Sequence, residues 1–149
     1  MMYKEVECDL FSVDSSYYLV HCISADFALG AGIAKEFEKR YHLREDLLLA
    51  FGDKWYLDYD DKLPGDAFLH KEKKVIDLIT KTRYWHKPTM YSLGRALKKM
   101  KNGCEKLGIN KIAMPKIGCG LDRLKWNEVS ELIKDVFSDT DVEILVCYK

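Results

Sequence analysis

A chain of 149 residues is one domain long, and its 48% hydrophobic and 12% aromatic content excludes disordered, collagen-like and low-complexity classes. Basic and acidic residues number 24 each, so no global field draws the protein onto nucleic acid or an anionic membrane, although a local anion pocket remains open to it. No apolar run reaches membrane-spanning length, the acidic start MMYKEVECDLF is unlike a signal peptide, and five cysteines without a CxxC pair indicate neither a disulfide framework nor a zinc module.

These bounds predict a soluble, intracellular chain with reduced thiols, cytoplasmic or, in a eukaryote, nuclear. At this length folding buries about two-thirds of the surface that the unfolded chain exposes, enough for a real core. No repeat, linker or shift of composition divides the sequence, so residues 1–149 are expected to form a single domain.

In chain order, Tyr3 to Cys8 is a weak strand candidate and Tyr17 to Ile23 (YYLVHCI) a strong one. Gly32 to Tyr41 reads as a helix with Ile33, Phe37 and Tyr41 on one face. The aromatic and acidic stretch from Gly52 to Gly65 is expected to form a surface excursion. Ala67 to Glu72 and Val75 to Ile79 can pair as a hairpin across a lysine-rich turn. Pro88 to Leu107 opens with the helix-start signal Pro-Thr and repeats apolar residues at 93, 97, 100, 104 and 107, with Gly108 as a stop. Ile112 to Pro115 is a further strand, Trp126 to Phe137 a further amphipathic helix, and Val142 to Tyr148 (VEILVCY) a last strand. Strands apolar on consecutive positions are buried on both faces, and their alternation with helices predicts an α/β/α three-layer sandwich around a mixed sheet.

In such folds ligands bind beyond the carboxyl ends of the strands. Two junctions there are rich in glycine. Ser24-Ala25-Asp26-Phe27-Ala28-Leu29-Gly30-Ala31-Gly32-Ile33 leads from a strand into a helix, where close backbone approach and free N–H groups suit a phosphate or diphosphate. It carries neither the P-loop GK[ST] nor GxGxxG. Pro115-Lys116-Ile117-Gly118-Cys119-Gly120-Leu121-Asp122 follows another strand, and the two loops together can grip one diphosphate from both sides.

Lys81, directly after VIDLIT, lies at the same edge; it is either a solvated lysine or a nucleophile whose amine loses its proton to a neighbour. Asp122 is either that neighbour or a cap for the following helix. Cys119, between two glycines without a base, is read as a small packing residue. His21 lies within a strand, where a satisfied core histidine is the commoner role, and His86 is an acid–base candidate. The His21-Cys22 pair has no matching second pair, so no metal is expected.

Taken together, HCISADFALGAGIAKEF, LITKTRYWHKPT and IAMPKIGCGLDRLKWNEVSELIKDVF resemble the macro domain family end to end, and within it the branch of terminal ADP-ribose protein glycohydrolases and O-acyl-ADP-ribose deacylases. That branch differs from macro domains with an Asn-Ala-Ala-Asn segment, where this chain has Ser24-Ala25-Asp26. The resemblance implies an ADP-ribose pocket. Asp9 and Leu10 would contact adenine; Ile23, Ser24, Gly30, Ala31, Gly32 and Ile33 would line the diphosphate and distal ribose. Pro115, Lys116, Ile117, Gly118, Cys119, Gly120 and Leu121 would close from the other side, with Lys149 as a further contact.

It also implies Lys81 as nucleophile and Asp122 as its partner, acting without cofactor or metal on ADP-ribose esterified to protein glutamate or aspartate or to a small acyl group. Where the family commonly has glycine, arginine and another loop, this chain has Cys8, Lys116 and Phe27 to Leu29. Two other readings stand beside this one: a non-catalytic ADP-ribose reader, and a hydrolase of ADP-ribosylated nucleic acid served by Lys71, Lys73, Lys74, Arg83 and Lys87. The expected partner is ADP-ribose or an ADP-ribosylated protein, with nucleic acid entering only as a modified substrate, no membrane, and a monomeric chain.

Overall fold

The structure, a computed structural model, describes residues 1–52 and 65–149; the excursion expected between Gly52 and Gly65 lies almost wholly outside the described residues. Six strands form one sheet: β1 (Met2–Glu7), β2 (Tyr18–Ser24), β3 (Asp66–His70), β4 (Val75–Lys81), β5 (Lys111–Met114) and β6 (Glu143–Tyr148). Their order across the sheet is β1-β6-β5-β2-β4-β3. All neighbours are parallel except β3, which pairs antiparallel with β4 at the edge, as the hairpin reading requires. Helices α1 (Gly32–Tyr41), α2 (Leu43–Phe51), α3 (Met90–Leu107) and α4 (Trp126–Phe137) cover the two faces.

Alternation along the strands sorts their side chains into two cores. Val20, Ile76, Leu78, Ile112, Met114, Ile144 and Val146 pack with α3 and α4. Leu19, Ile23, Val75, Ile79, Ala113 and Cys147 pack with Phe37 of α1 and Leu43 and Leu47 of α2. Strands buried on both sides need apolar residues at consecutive positions, which is the signal the sequence carries. Each such fully buried aliphatic or aromatic side chain stabilises the fold by about 1.5–3 kcal/mol.

Helix α3 begins where the sequence signals it, with a reciprocal cap between Thr89 and Ser92, and ends at Gly108, whose φ of 68° is in the left-handed region. Leu107, on the apolar stripe by spacing, is exposed. No predicted element covered α2. It follows a left-handed His42 without a side-chain cap and buries only Leu43 and Leu47, so its nine residues give a faint periodic signal.

One polar line crosses the α1/α2 core. His21 Nε2 contacts Asp77 Oδ1 at 2.6 Å, Asp77 Oδ2 contacts His70 Nε2 at 2.5 Å, and His70 Nδ1 contacts Asp46 Oδ2 at 2.8 Å. Lys73 completes the line, 3.0 Å from Asp46. His21 also stacks on Phe37, with ring centroids 4.0 Å apart, and its Nδ1 alone among the ring nitrogens of the line has no partner. Burial opposes ionisation of Asp77, yet hydrogen bonds from His21 and His70 hold its carboxyl below the ordinary range. Burial likewise disfavours the His70 cation, but contact with Asp77 and then Asp46 raises its pKa overall. His21 is thus a core histidine, as expected, but it is satisfied at Nε2 alone.

Candidate active site at the carboxyl edge of the sheet

Because β1, β6, β5, β2 and β4 run parallel, Cys8, Ser24, Lys81, Pro115 and Tyr148 all emerge at one edge. The first glycine junction is tied down there through its backbone. Ala25 N–H donates to Lys81 O at 2.8 Å and Asp26 N–H to Thr82 O at 3.1 Å. The Asp26 carboxylate accepts from Ser24 Oγ at 2.5 Å and from Ala28 N–H at 3.2 Å, while its second oxygen accepts from Tyr84 N–H at 2.9 Å.

Phe27 and Leu29 turn inward with positive φ of 55° and 44°, a strained conformation for non-glycine residues. Arg44 of α2 holds that conformation by donating to the carbonyls of Phe27 and Ala28. Gly30, Ala31 and Gly32 stay exposed, and α1 starts at Ala31 with no side-chain cap. Its first N–H groups are therefore open to an anion.

The second junction coils on itself. Leu124 N–H donates to Gly118 O at 2.6 Å, Cys119 N–H to Lys116 O at 3.3 Å and Arg123 N–H to Gly120 O at 3.2 Å. Gly118 has φ 74°, a conformation that favours glycine, and a Cβ there would lie 2.9 Å from the movable Leu124 Cδ1. Buried Ile117 anchors the loop and exposed Leu121 forms its tip. A Cβ on Gly32 would lie 3.4 Å from Leu121 Cδ1, which shows how closely the two glycine loops approach each other.

Lys81 and Asp122 meet between these loops. Lys81 Nζ is 2.6 Å from Asp122 Oδ1, and the two side chains are 15% and 14% exposed. Asp122 does not cap α4, which starts at Lys125 without a side-chain cap. Lys87 Nζ donates to Leu121 O at 2.7 Å and straps the same loop to the segment after β4. Burial pushes the Cys22 thiol well up, and the Asp122 carboxylate beside it adds to the shift. The Cys119 thiol is also raised by burial and donates to Ile117 O. Burial therefore works against a thiolate at either cysteine.

At the other end of the edge, Asp9 accepts from Phe11 N–H at 3.0 Å and from Ser12 Oγ at 3.2 Å, capping a turn of 3-10 helix. The Phe11 hydrogen bond chiefly holds its carboxyl below the ordinary range, with help from Ser12 and the charges of Lys149 and Arg40. Leu10 and Ile23 are buried, and Ile33 is exposed at the start of α1. The Lys116 ammonium lies over the rings of Tyr148 at 4.9 Å and Trp126 at 5.9 Å.

Tyr148 also stands at this edge: its carbonyl accepts from Cys8 N–H at 3.0 Å and its side chain is exposed. Among the described residues no group of three or more histidine, cysteine or acidic side chains is placed to hold a metal ion.

Comparison with known proteins bears on this arrangement. The sequence model of the Macro domain matches residues 20–133. The proteins named ADP-ribose glycohydrolase OARD1 from Bos taurus and Homo sapiens are each 41% identical over 143 residues, covering 95% of this chain and 88% of theirs. Among solved structures, the macrodomain of Mycobacterium tuberculosis DarG superposes with a TM-score of 0.79 at 20% identity, covering 99% of this chain and 98% of that one, a likeness of fold. With the mixed six-stranded sheet, the flanking helices and both glycine junctions in their places, the chain belongs to the macro domain family.

Proposed function

We propose that the protein is a hydrolase of ADP-ribose esters, releasing ADP-ribose from protein glutamate or aspartate and cleaving O-acyl-ADP-ribose. One observation carries this reading: the 2.6 Å contact between Lys81 and Asp122, held between two glycine loops that leave backbone N–H groups open to a diphosphate. The name shared by the two 41% identical relatives supports it, as does the length over which they match. Tyr148 and Asp9 offer an aromatic face and a carboxylate for adenine at the far end of the same edge.

In this reading the diphosphate lies against the start of α1, and Lys81 faces the anomeric carbon of the distal ribose. Lys81 passes its proton to Asp122 and its nitrogen attacks that carbon. The carbon–oxygen bond breaks and its electron pair leaves with the carboxylate. Asp122 loses its proton to solvent and, again a carboxylate, takes one from the water that attacks the anomeric carbon. The carbon–nitrogen bond breaks, the lysine nitrogen receives that proton from Asp122, and ADP-ribose is released. A carboxylate is a good leaving group, so the enzyme gains most by holding the nucleophile in line and by stabilising charge on the sugar. A pure reader of ADP-ribose has no use for a partly exposed lysine–aspartate contact at this point.

The test uses a glutamate-linked ADP-ribosyl protein. Lys81→Ala should abolish release while still binding ADP-ribose, and Asp122→Ala should accumulate an adduct on Lys81 visible by mass spectrometry. Undiminished release by Lys81→Ala removes the lysine from the reaction and with it this mechanism.

A further inference from the structure

Lys81 ends β4, next to the edge strand β3, whereas Asp9 and Tyr148 stand after β1 and at the end of β6, at the opposite end of the sheet. A nucleotide laid along that edge from Asp9 to Lys81 presents the group bonded to its distal ribose to the segment after β4, residues 82–87, and to the start of α3. Lys81, His86, Lys87 and Thr89 line one opening there, so the nucleophile and this segment share a mouth.

Residues 82–87 are pinned along their length. Thr82 O accepts from Asp26 N–H at 3.1 Å, and Tyr84 N–H donates to the Asp26 carboxylate at 2.9 Å. His86 N–H closes a turn on Arg83 O at 3.0 Å, and Lys87 Nζ donates to Leu121 O at 2.7 Å. Pro88 and the Thr89–Ser92 cap fix the exit into α3. On this held segment Tyr84 and Trp85 are 63% and 61% exposed, and Tyr91 in the first turn of α3 is 57% exposed. Among the described residues the one other exposed tyrosine, tryptophan or phenylalanine is Tyr148. Rings held in water on a fixed backbone give up little further freedom on binding, which is why tyrosine and tryptophan anchor interfaces.

The charge around these rings is of one sign. From Leu78 to Cys104 the sequence holds seven lysine and arginine residues and no aspartate or glutamate, in a chain whose total is balanced. The carboxylates that approach from other segments are taken, Asp26 by Tyr84 N–H and Ser24 Oγ, and Asp122 by Lys81. An acidic polymer complements such a surface. Ring geometry separates the two kinds. Bases of a single strand stack in succession on aromatic faces, whereas Tyr84 and Trp85 stand at 88° to one another and Trp85 and His86 at 79°, which offers a face beside an edge. A peptide needs no parallel array. Zero net charge on the whole chain likewise disfavours a long polyanion.

We propose that residues 82–87 and the first turn of α3 are the docking surface for an acidic peptide stretch of the modified protein, the stretch flanking the glutamate or aspartate that carries ADP-ribose. This rests on the hydrolase reading above. Tyr84 and Trp85 are the anchors, and the charges of Arg83 and Lys87 meet the acidic side chains. The surface binds the acceptor, takes no part in bond cleavage and leaves ADP-ribose affinity unchanged. An acetyl ester ends short of it and does not sense it.

Trp85→Ala is measured on two esters: ADP-ribose on a glutamate with aspartate and glutamate on both sides of it in a peptide, and O-acetyl-ADP-ribose. KM for the peptide should rise about tenfold, the scale of one aromatic anchor, with kcat unchanged, while both constants for the acetyl ester stay those of wild type. Replacing the flanking acids of the peptide by glutamine should raise the wild-type KM about threefold, and by more at low salt. Equal effects of Trp85→Ala on the two esters, no effect on either, or indifference to the flanking acids overturns the proposal. Binding of the unmodified acidic peptide, read from the Trp85 indole N–H shift, requires no turnover; its absence sinks the docking surface even where esters are cleaved. Tighter binding of an oligothymidylate of equal charge makes the surface one for nucleic acid and overturns the peptide. Peptide bound at Trp85 with neither ester cleaved sinks the hydrolase reading, and the acceptor role falls with it.

Discussion

Asp77 and Lys81 stand on the same strand, and each holds a partner of opposite character drawn from another segment. Around Asp77 every group is sealed: His21 and His70 approach to 2.6 and 2.5 Å, and all three side chains are inaccessible. Around Lys81 the contact is equally short but open to solvent, and the elements that approach it are loops rich in glycine. In the interior both carboxylate oxygens are engaged and the line ends on the surface at Lys73, which suits cohesion between β2, β3, β4 and α2. At the edge, donors remain uncommitted and backbone N–H groups face outward, which suits a ligand. Proximity of acid and base is common to both places; access and spare hydrogen-bonding capacity separate them.

The comparison breaks most sharply at Lys81. Its replacement by alanine should reduce ester hydrolysis on the order of a thousandfold or more, with the thermal midpoint nearly unchanged, because a partly exposed ion pair adds little stability. Asp77→Ala should do the reverse. Leaving two buried histidines without their shared carboxylate costs about 3–5 kcal/mol, read as a lower urea midpoint, while the folded fraction keeps its turnover. If Asp77→Ala abolishes turnover in protein that remains folded, the division between the two regions fails.

Gly32→Ala tests the loop alone. At φ 58°, alanine costs about 1–2 kcal/mol, while its Cβ only touches Leu121. Calorimetry should show weaker ADP-ribose binding, by roughly tenfold, with the core intact.

The smallest effect is one of pH. His70 gains affinity for its proton on folding, so its contribution is complete below the unfolded value of about 6.5 and is lost as pH rises through the folded one. Asp77 and Asp46 shift the other way, so theirs is present above about 4 and lost as pH falls through their folded values. Wild type should therefore exceed His70→Gln in stability most between about pH 4 and 6.5, and the gap should narrow at higher pH. Parallel stability curves across that range remove the proton linkage from the buried line.

Local signals made most of the fold legible. The strands show as β-branched and aromatic runs, and α3 is bounded by a capping pair and a glycine whose positions agree with the coordinates to within two residues. Lys81 and Asp122 were found because each sits next to a recognisable motif, ITK and GLD. What stayed hidden depends on distance through space. Asp77 meets His21 from 56 residues away and Asp46 meets His70 from 24, pairings that only strand order and register determine. Helix α2 lacks a side-chain N-cap and a strong apolar stripe, and Thr80 looks like any strand threonine until its hydroxyl is found without a partner.

Helix α2 has a double attachment. Arg44 grips the carbonyls of Phe27 and Ala28 in the first glycine loop, and two residues later Asp46 grips His70 in the core. Melting of that single turn would release both at once, so the nucleotide-facing loop and the buried polar line form one cooperative unit. Ligand occupancy at the rim should then slow amide exchange around Asp46 and His70, far from any ligand atom.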